Sequence, residues 1–174
     1  MEKVRCATCG EEADLLAMEP SYGRPDAYFE VPKRQREYLT NFSKDDGRIR
    51  NAEDTERRHF LRVLLSIPIR GDERDVAWGV WVELSAADWE RAYDLWDDPD
   101  QAKEPPFPAT LANALKGYEG TLGLPGWVRL TGPTTAPLFE LDATVDHPLA
   151  HEQREGVQAE RVVEWVSAHH HHHS

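Results

Sequence analysis

The sequence predicts an α+β fold, with a single domain in which an antiparallel sheet is built from hairpins and helices pack on one face. Two apolar strand pairs, each followed by helical segments, predict this class, because a parallel sheet would alternate single strands with helices. Of the 174 residues, 168–174 read AHHHHHS and resemble a purification tag, so the predicted domain is 1–167. A chain of about 150 residues can bury a core without a metal or a disulfide.

The first predicted elements are a short helix over 33–39, entered through Pro32, and a hairpin formed by 59–69 and 76–84. Both hairpin segments carry apolar side chains at every second position, and the polar sequence GDERD joins them. Pro68 indicates an edge position or a bulge near the end of the first strand. Two strands as apolar as these need a cover.

An amphipathic helix over 86–97 supplies that cover, since Ser85 and Asp88 resemble a capping box and aromatic residues recur at helical spacing. The proline-rich sequence KEPPFP at 103–108 predicts a stiff connection. The remaining predictions are a short helix over 109–115, a hairpin of 127–131 with 138–141, and helices over 148–154 and 159–166 separated by Gly156.

Charge is uneven along the chain. The whole chain has 32 acidic and 20 basic residues, a net charge of -12, but 24–62 holds 10 basic and 8 acidic residues. Because +2 is too small a charge to neutralise a phosphate backbone, no nucleic-acid partner is expected. The acidic second half predicts a protein partner, which the charge suggests is basic. No apolar run approaches 18 residues and the N-terminus resembles no signal peptide, so no membrane contact and a cytoplasmic location are expected.

The sharpest local motif is Cys6-Ala-Thr-Cys9-Gly10, which is typical of half a zinc site. His147 and His151 have a spacing that places two imidazoles on one helical face, so Cys6, Cys9, His147 and His151 are candidate zinc ligands. The structural alternative for the two histidines is a helix cap or a surface position. A thiol oxidoreductase is a further alternative, but that chemistry needs the motif to open a helix.

Two other features have both a functional and a structural interpretation. Asp146 could orient His147 for general-base chemistry, although Pro148 makes a helix cap the simpler role. Trp78 and Trp81 lie on opposite faces of one strand, so one of them could be exposed beside the KEPPFP segment and form a binding patch, or both could belong to the core.

Five separated motifs stand out along the chain: C-x-x-C-G at residues 6–10, Ile-Pro-Ile at 67–69, WGVWV at 78–82, Glu-Pro-Pro at 104–106 and His-Pro-Leu-Ala-x-Glu-Gln at 147–153. Together they resemble a family of bacterial proteins known as domain of unknown function 2199. The resemblance covers nearly the whole chain and implies no assigned activity. It adds Glu104, Glu152 and Gln153 to the tryptophans as candidate binding residues, with Glu152 as a candidate base.

One departure from the family pattern affects the metal hypothesis. Relatives often carry a histidine three residues after the glycine of C-x-x-C-G, where this chain has Ala13. The resemblance includes His147 and not His151, so it implies a cluster of Cys6, Cys9 and His147 completed by an acid or water.

The first functional hypothesis is a non-catalytic protein-binding module, of an accessory or immunity-like kind, since the chain is acidic and has no G-x-S-x-G, P-loop or G-x-G-x-x-G motif. The second is a zinc-binding protein or metal-dependent enzyme that uses Cys6, Cys9 and His147. The third is a C-x-x-C thiol oxidoreductase.

Overall fold

The structure of the chain, a computed structural model, describes residues 3–5, 12–14 and 20–170. Its strands are β1 (Lys3–Arg5), β2 (Glu12–Asp14), β3 (Thr40–Phe42), β4 (Asp46–Arg50), β5 (Arg57–Pro68), β6 (Asp75–Leu84), β7 (Phe107–Leu111), β8 (Pro125–Arg129) and β9 (Leu138–Leu141). Its α-helices are α1 (Asp26–Glu30), α2 (Arg36–Leu39), α3 (Ala86–Asp94), α4 (Pro148–Glu155) and α5 (Ala159–His170). A 3-10 turn over Lys33–Gln35 leads into α2, and a second one covers Gln101–Lys103. The α+β class is confirmed.

The principal sheet is a closed five-stranded barrel with a two-stranded extension. Strands β5 to β9 pair in sequence order, each antiparallel to the next, and β9 returns to pair with β5 in parallel at Leu64 and Leu138. Strands β4 and β3 extend the sheet from the first half of β5. The predicted antiparallel sheet of hairpins is therefore not confirmed, because the last strand closes on the first in parallel and leaves β3 as the outer edge.

The two faces of the β5–β6 hairpin are both buried. One face carries Val63, Trp78 and the other core residues, over which helices α3, α4 and α5 pack. The opposite face carries Phe60 and Trp81, which are fully buried under the segment that contains α1. The predicted arrangement with helices on one face is thus not confirmed. The physical reason is that the second face carries the large apolar side chains of Phe60 and Trp81 beside the polar Arg62 and Ser66. These apolar side chains also need a cover.

Several sequence predictions match the elements closely. The 59–69 and 76–84 hairpin is confirmed by ten paired positions from His59 opposite Leu84 to Pro68 opposite Asp75. Helix α3 is capped by Ser85, whose hydroxyl accepts the Asp88 backbone N–H at 3.2 Å, as the capping pattern predicts. The second hairpin is β8 with β9, and Gly156 ends α4 with a φ of 79°.

The predicted helix over 109–115 is wrong. Strand β7 occupies Phe107–Leu111 and its side chains alternate between buried and exposed positions. Alternation of period two places Phe107, Ala109 and Leu111 on the core face, whereas Pro108 and Thr110 face outward. The prolines that suggested a connection are tolerated at the start of this short strand.

Candidate interaction site

Both cysteines of the predicted metal site lie outside the described residues. The flanking strands β1 and β2 are antiparallel, with Arg5 opposite Glu12, so Cys6 and Cys9 belong to the segment that connects them. Among the described residues, no group of three or more Cys, His, Asp or Glu side chains could hold a metal ion.

The histidines proposed as ligands are engaged in local hydrogen bonds. His147 is the N-cap of α4: its Nδ1 accepts the Leu149 backbone N–H at 3.0 Å, and its Nε2 donates to the Glu119 carbonyl at 2.6 Å. The His151 Nε2 donates to Asp146 at 2.8 Å, and its Nδ1 accepts from Arg154 at 3.3 Å. Metal coordination by either ring would have to replace one of these bonds. The capping interpretation of His147 is confirmed.

Glu152, the candidate base, lies between an aromatic and a cationic side chain. The Tyr118 hydroxyl donates to Glu152 Oε2 at 2.9 Å, and the Arg161 guanidinium lies 3.3 Å from Oε1. The same guanidinium sits over the Tyr118 ring, 5.2 Å from its centroid. Burial, with the Glu152 charge adding to it, raises the pKa of Tyr118 above its ordinary value. This cluster joins α4 to α5 and to the loop before β8.

Glu104 and Gln153 also make internal contacts. Both Glu104 oxygens accept from Arg91 at 3.0 and 3.1 Å, so the proline-rich segment is attached to α3. The Gln153 amide accepts the Leu141 backbone N–H at 2.8 Å and donates to the Phe139 carbonyl at 2.9 Å. The polar atoms of these two candidate binding residues are therefore used within the fold.

The core interpretation of Trp78 and Trp81 is confirmed, and the alternative of an exposed binding patch is wrong, since both have 0% exposed surface. Trp78 packs in the barrel core against Trp165, and Trp81 packs in the second cluster against Phe42. The physical reason is that both faces of β6 are covered. The exposed tryptophan is Trp127, with 43% of its surface accessible.

A different surface gathers aromatic and cationic side chains, among which Tyr38 and Tyr93 are exposed, Arg48 and Arg50 are half-buried, and His59 and Trp89 are buried. It lies on the extension formed by β3, β4 and the start of β5, next to helix α3. We call it the Arg48 face. Its residues are Tyr38, Asn41, Arg48, Arg50, Arg57, His59, Trp89 and Tyr93.

Arg48 is held in place by aromatic stacking. Its guanidinium lies 5.2 Å from the centre of the Trp89 ring, and the Trp89 indole N–H donates to the Phe60 carbonyl at 3.1 Å. The Tyr93 ring stacks on the Trp89 ring, with 5.3 Å between the two ring centres, and Tyr93 is 60% exposed. A cation on an anchored ring loses less conformational freedom when it binds an anion. Arg48 is therefore preorganised.

The strand register aligns the polar residues of the face. Asn41 is opposite Arg48, Arg48 is opposite His59, and Arg50 is opposite Arg57. Directly opposed residues share one face of a sheet, so these side chains line the same surface. Burial, together with the nearby Arg48 charge, lowers the pKa of His59, which favours a neutral imidazole beneath the arginines.

The arginines of this face differ in their ion pairing. Arg57 binds Asp54 through two hydrogen bonds of 3.0 and 3.1 Å, and this contact holds the pKa of the Asp54 carboxyl below its usual value. Among the residues that the structure describes, neither Arg48 nor Arg50 forms an ion pair. Two cationic groups thus remain available on one strand.

The local excess of positive charge at 24–62 is visible in the sequence, but its spatial arrangement is not. Because acidic residues are interleaved with the arginines, the net charge of the segment does not reveal this face. The detectable signal is the sequence Asp-Gly-Arg-Ile-Arg at 46–50, in which alternation around buried Ile49 directs Arg48 and Arg50 to the same side.

A family model described as "Uncharacterized protein conserved in bacteria (DUF2199)" matches residues 5–157. The chain belongs to this family. The resemblance inferred from the separated sequence motifs is thereby confirmed. No match to a curated protein or to a solved structure was significant.

The whole Arg48 face lies within the DUF2199 match, whereas helix α5 begins just after it. The barrel strands and the β3–β4 extension also fall inside the matched residues. No helix among the described residues is long and apolar enough to cross a membrane.

Proposed function

We propose that this DUF2199 protein is a non-catalytic protein-binding module, an accessory or immunity-like protein of the cytoplasm, and that it contacts its partner through the Arg48 face. The observation that carries the proposal is the Arg48 guanidinium stacked on the anchored Trp89 ring, with Arg50 beside it on the same strand. Arginine, tryptophan and tyrosine are the residues that most often dominate binding energy at protein interfaces.

The charge of the rest of the chain makes this arrangement more specific. The chain carries a net charge of -12, and Arg48 and Arg50 are among the basic residues that form no ion pair within the described part of the chain, so their charge is not neutralised by a direct contact. Screening limits the reach of exposed charges to about 8 Å at physiological salt, so a partner at this face responds to its arginines and to the adjacent Asp46 and Asp54 more than to the charge of the whole chain. The basic partner expected for the acidic second half stays a prediction.

The test is reversal of the charge on the Arg48 face. The Arg48→Glu/Arg50→Glu variant is expected to lose the partner that the original chain captures from a bacterial lysate, since two attractive contacts become repulsive. Affinity capture and quantitative mass spectrometry measure the loss. Circular dichroism checks that the variant has folded.

The matched control reverses two exposed lysines away from this face, as Lys103→Glu/Lys116→Glu. Among the described residues Lys103 pairs with the exposed Asp100, a contact worth about 0–1 kcal/mol, so the control is expected to fold and to retain the partner. A captured protein that remains bound to the Arg48→Glu/Arg50→Glu variant contradicts the proposal. The proposal is also contradicted if every captured protein binds the variant and its control equally well.

We propose zinc binding at Cys6 and Cys9 as a second function, because the paired strands β1 and β2 flank these residues on either side. A C-x-x-C-G sequence between antiparallel strands is typical of a zinc knuckle, in which two thiolates bind one metal. The proposal is for a structural site and is compatible with protein binding.

Metal analysis of protein without residues 168–174 tests the zinc site, since the tag histidines bind metal themselves. We expect about one zinc per chain, lost in Cys6→Ser/Cys9→Ser. His147→Asn and His151→Gln then show which ring, if either, completes the ligand set. Metal-free protein from zinc-supplemented medium, or zinc retained after both cysteines are replaced, excludes the site.

A further inference from the structure

We infer that the Arg48 face binds an extended acidic segment of a partner protein, with carboxylates at every second residue. The inference rests on the proposed protein-binding function and specifies the chemistry of the partner.

The spacing of the arginines sets the repeat of the segment. Arg48 and Arg50 are two residues apart on β4 and project from the same side of the strand. Such side chains are separated by about 6.5–7 Å along a strand. An extended segment has the same repeat, so acidic residues at positions i and i+2 can each face one arginine.

Two hollows in the face match two binding positions. One of about 350 Å³ lies between Asn41, Arg48, Trp89 and Tyr93, and one of about 270 Å³ lies beside Tyr38 and Arg50. Arg48 and Asn41 line both hollows, so the two positions are adjacent. The exposed Asn41 amide can donate a hydrogen bond to the bound carboxylate.

Aromatic side chains border the charged centre at both ends. Tyr38 is 69% exposed and Tyr93 is 60% exposed. Each offers an apolar ring face with a polar tip, which suits the side chains that alternate with the acids or flank them. The face therefore combines a charged centre with apolar ends.

The Arg57–Asp54 pair shows how a carboxylate binds at this surface. Asp54 makes two parallel hydrogen bonds to the Arg57 guanidinium, the geometry in which arginine recognises carboxylates most strongly. Since Asp54 already occupies Arg57, the partner's carboxylates are directed to Arg48 and Arg50.

The acidic surroundings favour a short segment over a long polyanion. Asp46 lines the same hollow as Arg48, Asp54 is paired with Arg57, and the chain carries a net charge of -12. A nucleic acid would bring many phosphates against these acids, whereas a protein segment can confine its charge to two positions.

Fluorescence anisotropy with labelled nine-residue peptides tests the inference on the full chain. The first peptide alternates glutamate with threonine, the second has the same composition with its glutamates contiguous, and the third replaces glutamate by glutamine. We expect the alternating peptide to bind at least about tenfold more tightly than either of the others. We expect a loss of about tenfold or more in Arg48→Gln/Arg50→Gln, and none in the control Lys103→Gln/Lys116→Gln.

Other outcomes overturn the inference. Equal affinity for the alternating and contiguous peptides excludes the strand-like repeat, and equal or tighter binding of a nine-nucleotide oligothymidylate excludes a protein segment as the preferred class. If no peptide binds while Arg48→Glu/Arg50→Glu still loses its captured partner, the inference fails and the proposed function stands. If that variant keeps its partner, both fail.

Discussion

Replacing Asn113 by alanine is expected to lower the free energy of unfolding by about 3 kcal/mol. The side chain is fully buried, and its Oδ1 accepts the Trp81 backbone N–H at 2.8 Å. Its Nδ2 donates to the Arg24 carbonyl at 3.0 Å and to Asp26 at 3.2 Å. Alanine leaves the buried Trp81 N–H without its acceptor and detaches the segment that covers the second core cluster.

Urea unfolding of both proteins, compared at equal slope, measures the effect. The exposed variant Lys116→Ala, three residues further along the chain, is the control and is expected to change stability by no more than about 0.5 kcal/mol. If Asn113→Ala changes stability as little as this control, the buried amide has no structural role.

A paired exchange separates the hydrogen bonds of Asn113 from its volume. Asn113→Asp keeps an acceptor for Trp81 but places a carboxylate 3.2 Å from the carboxylate of Asp26. Adding Asp26→Asn restores a donor to that contact and still leaves an acceptor for the Ala114 N–H. We therefore expect the double variant to be about 1–2 kcal/mol more stable than Asn113→Asp alone.

The hairpin of β5 and β6 and helix α3 could be predicted because their signals are local. Alternation over ten residues and a cap at Ser85 depend on neighbours in sequence, and the structure reproduces both. Strand β7 could not be predicted from the same rules, because Pro108 within a short alternating run obscures it. Barrel closure depends on the distant pair Leu64 and Leu138, for which no local pattern exists.

The candidate sites also differ in whether local sequence signals or long-range contacts define them. Cys6 and Cys9 stand out in the sequence, but their role depends on ligands that a sequence does not position. Arg48 and Arg50 become a site only when β4 is registered against its neighbours and Trp89 arrives from α3. The residues of the family motif at 147–153 were informative for another reason: His147 and Gln153 hold α4 in place through backbone groups.

Gln153→Ala is expected to lower the free energy of unfolding by about 2–3 kcal/mol, because this amide completes the barrel where the backbone does not. Strands β5 and β9 pair at a single position, Leu64 with Leu138. Beyond it, Gln153 accepts the Leu141 N–H and donates to the Phe139 carbonyl, and its Nε2 lies 3.5 Å from the Ser66 carbonyl across the gap. The change is measured by urea unfolding.

Gln153→Glu gives a second test with a defined pH dependence. A carboxylate keeps the acceptor for Leu141 but faces the carbonyls of Phe139 and Ser66, so its folded-state pKa should rise above the unfolded value of about 4.3. A raised folded-state pKa means that the group stabilises the fold below the unfolded pKa and that this stability is lost as pH rises through the folded pKa. The stability deficit of Gln153→Glu relative to the original chain should therefore shrink on acidification, whereas that of Gln153→Ala should stay constant. A deficit that is the same at pH 4 and pH 7 for both variants would mean that the Gln153 amide does not bridge β9 and β5. Like Asn113 at the end of the β6–β7 ladder, Gln153 replaces missing backbone pairing with a side-chain amide. Replacing either residue should lower the free energy of unfolding far more than replacing an exposed neighbour does.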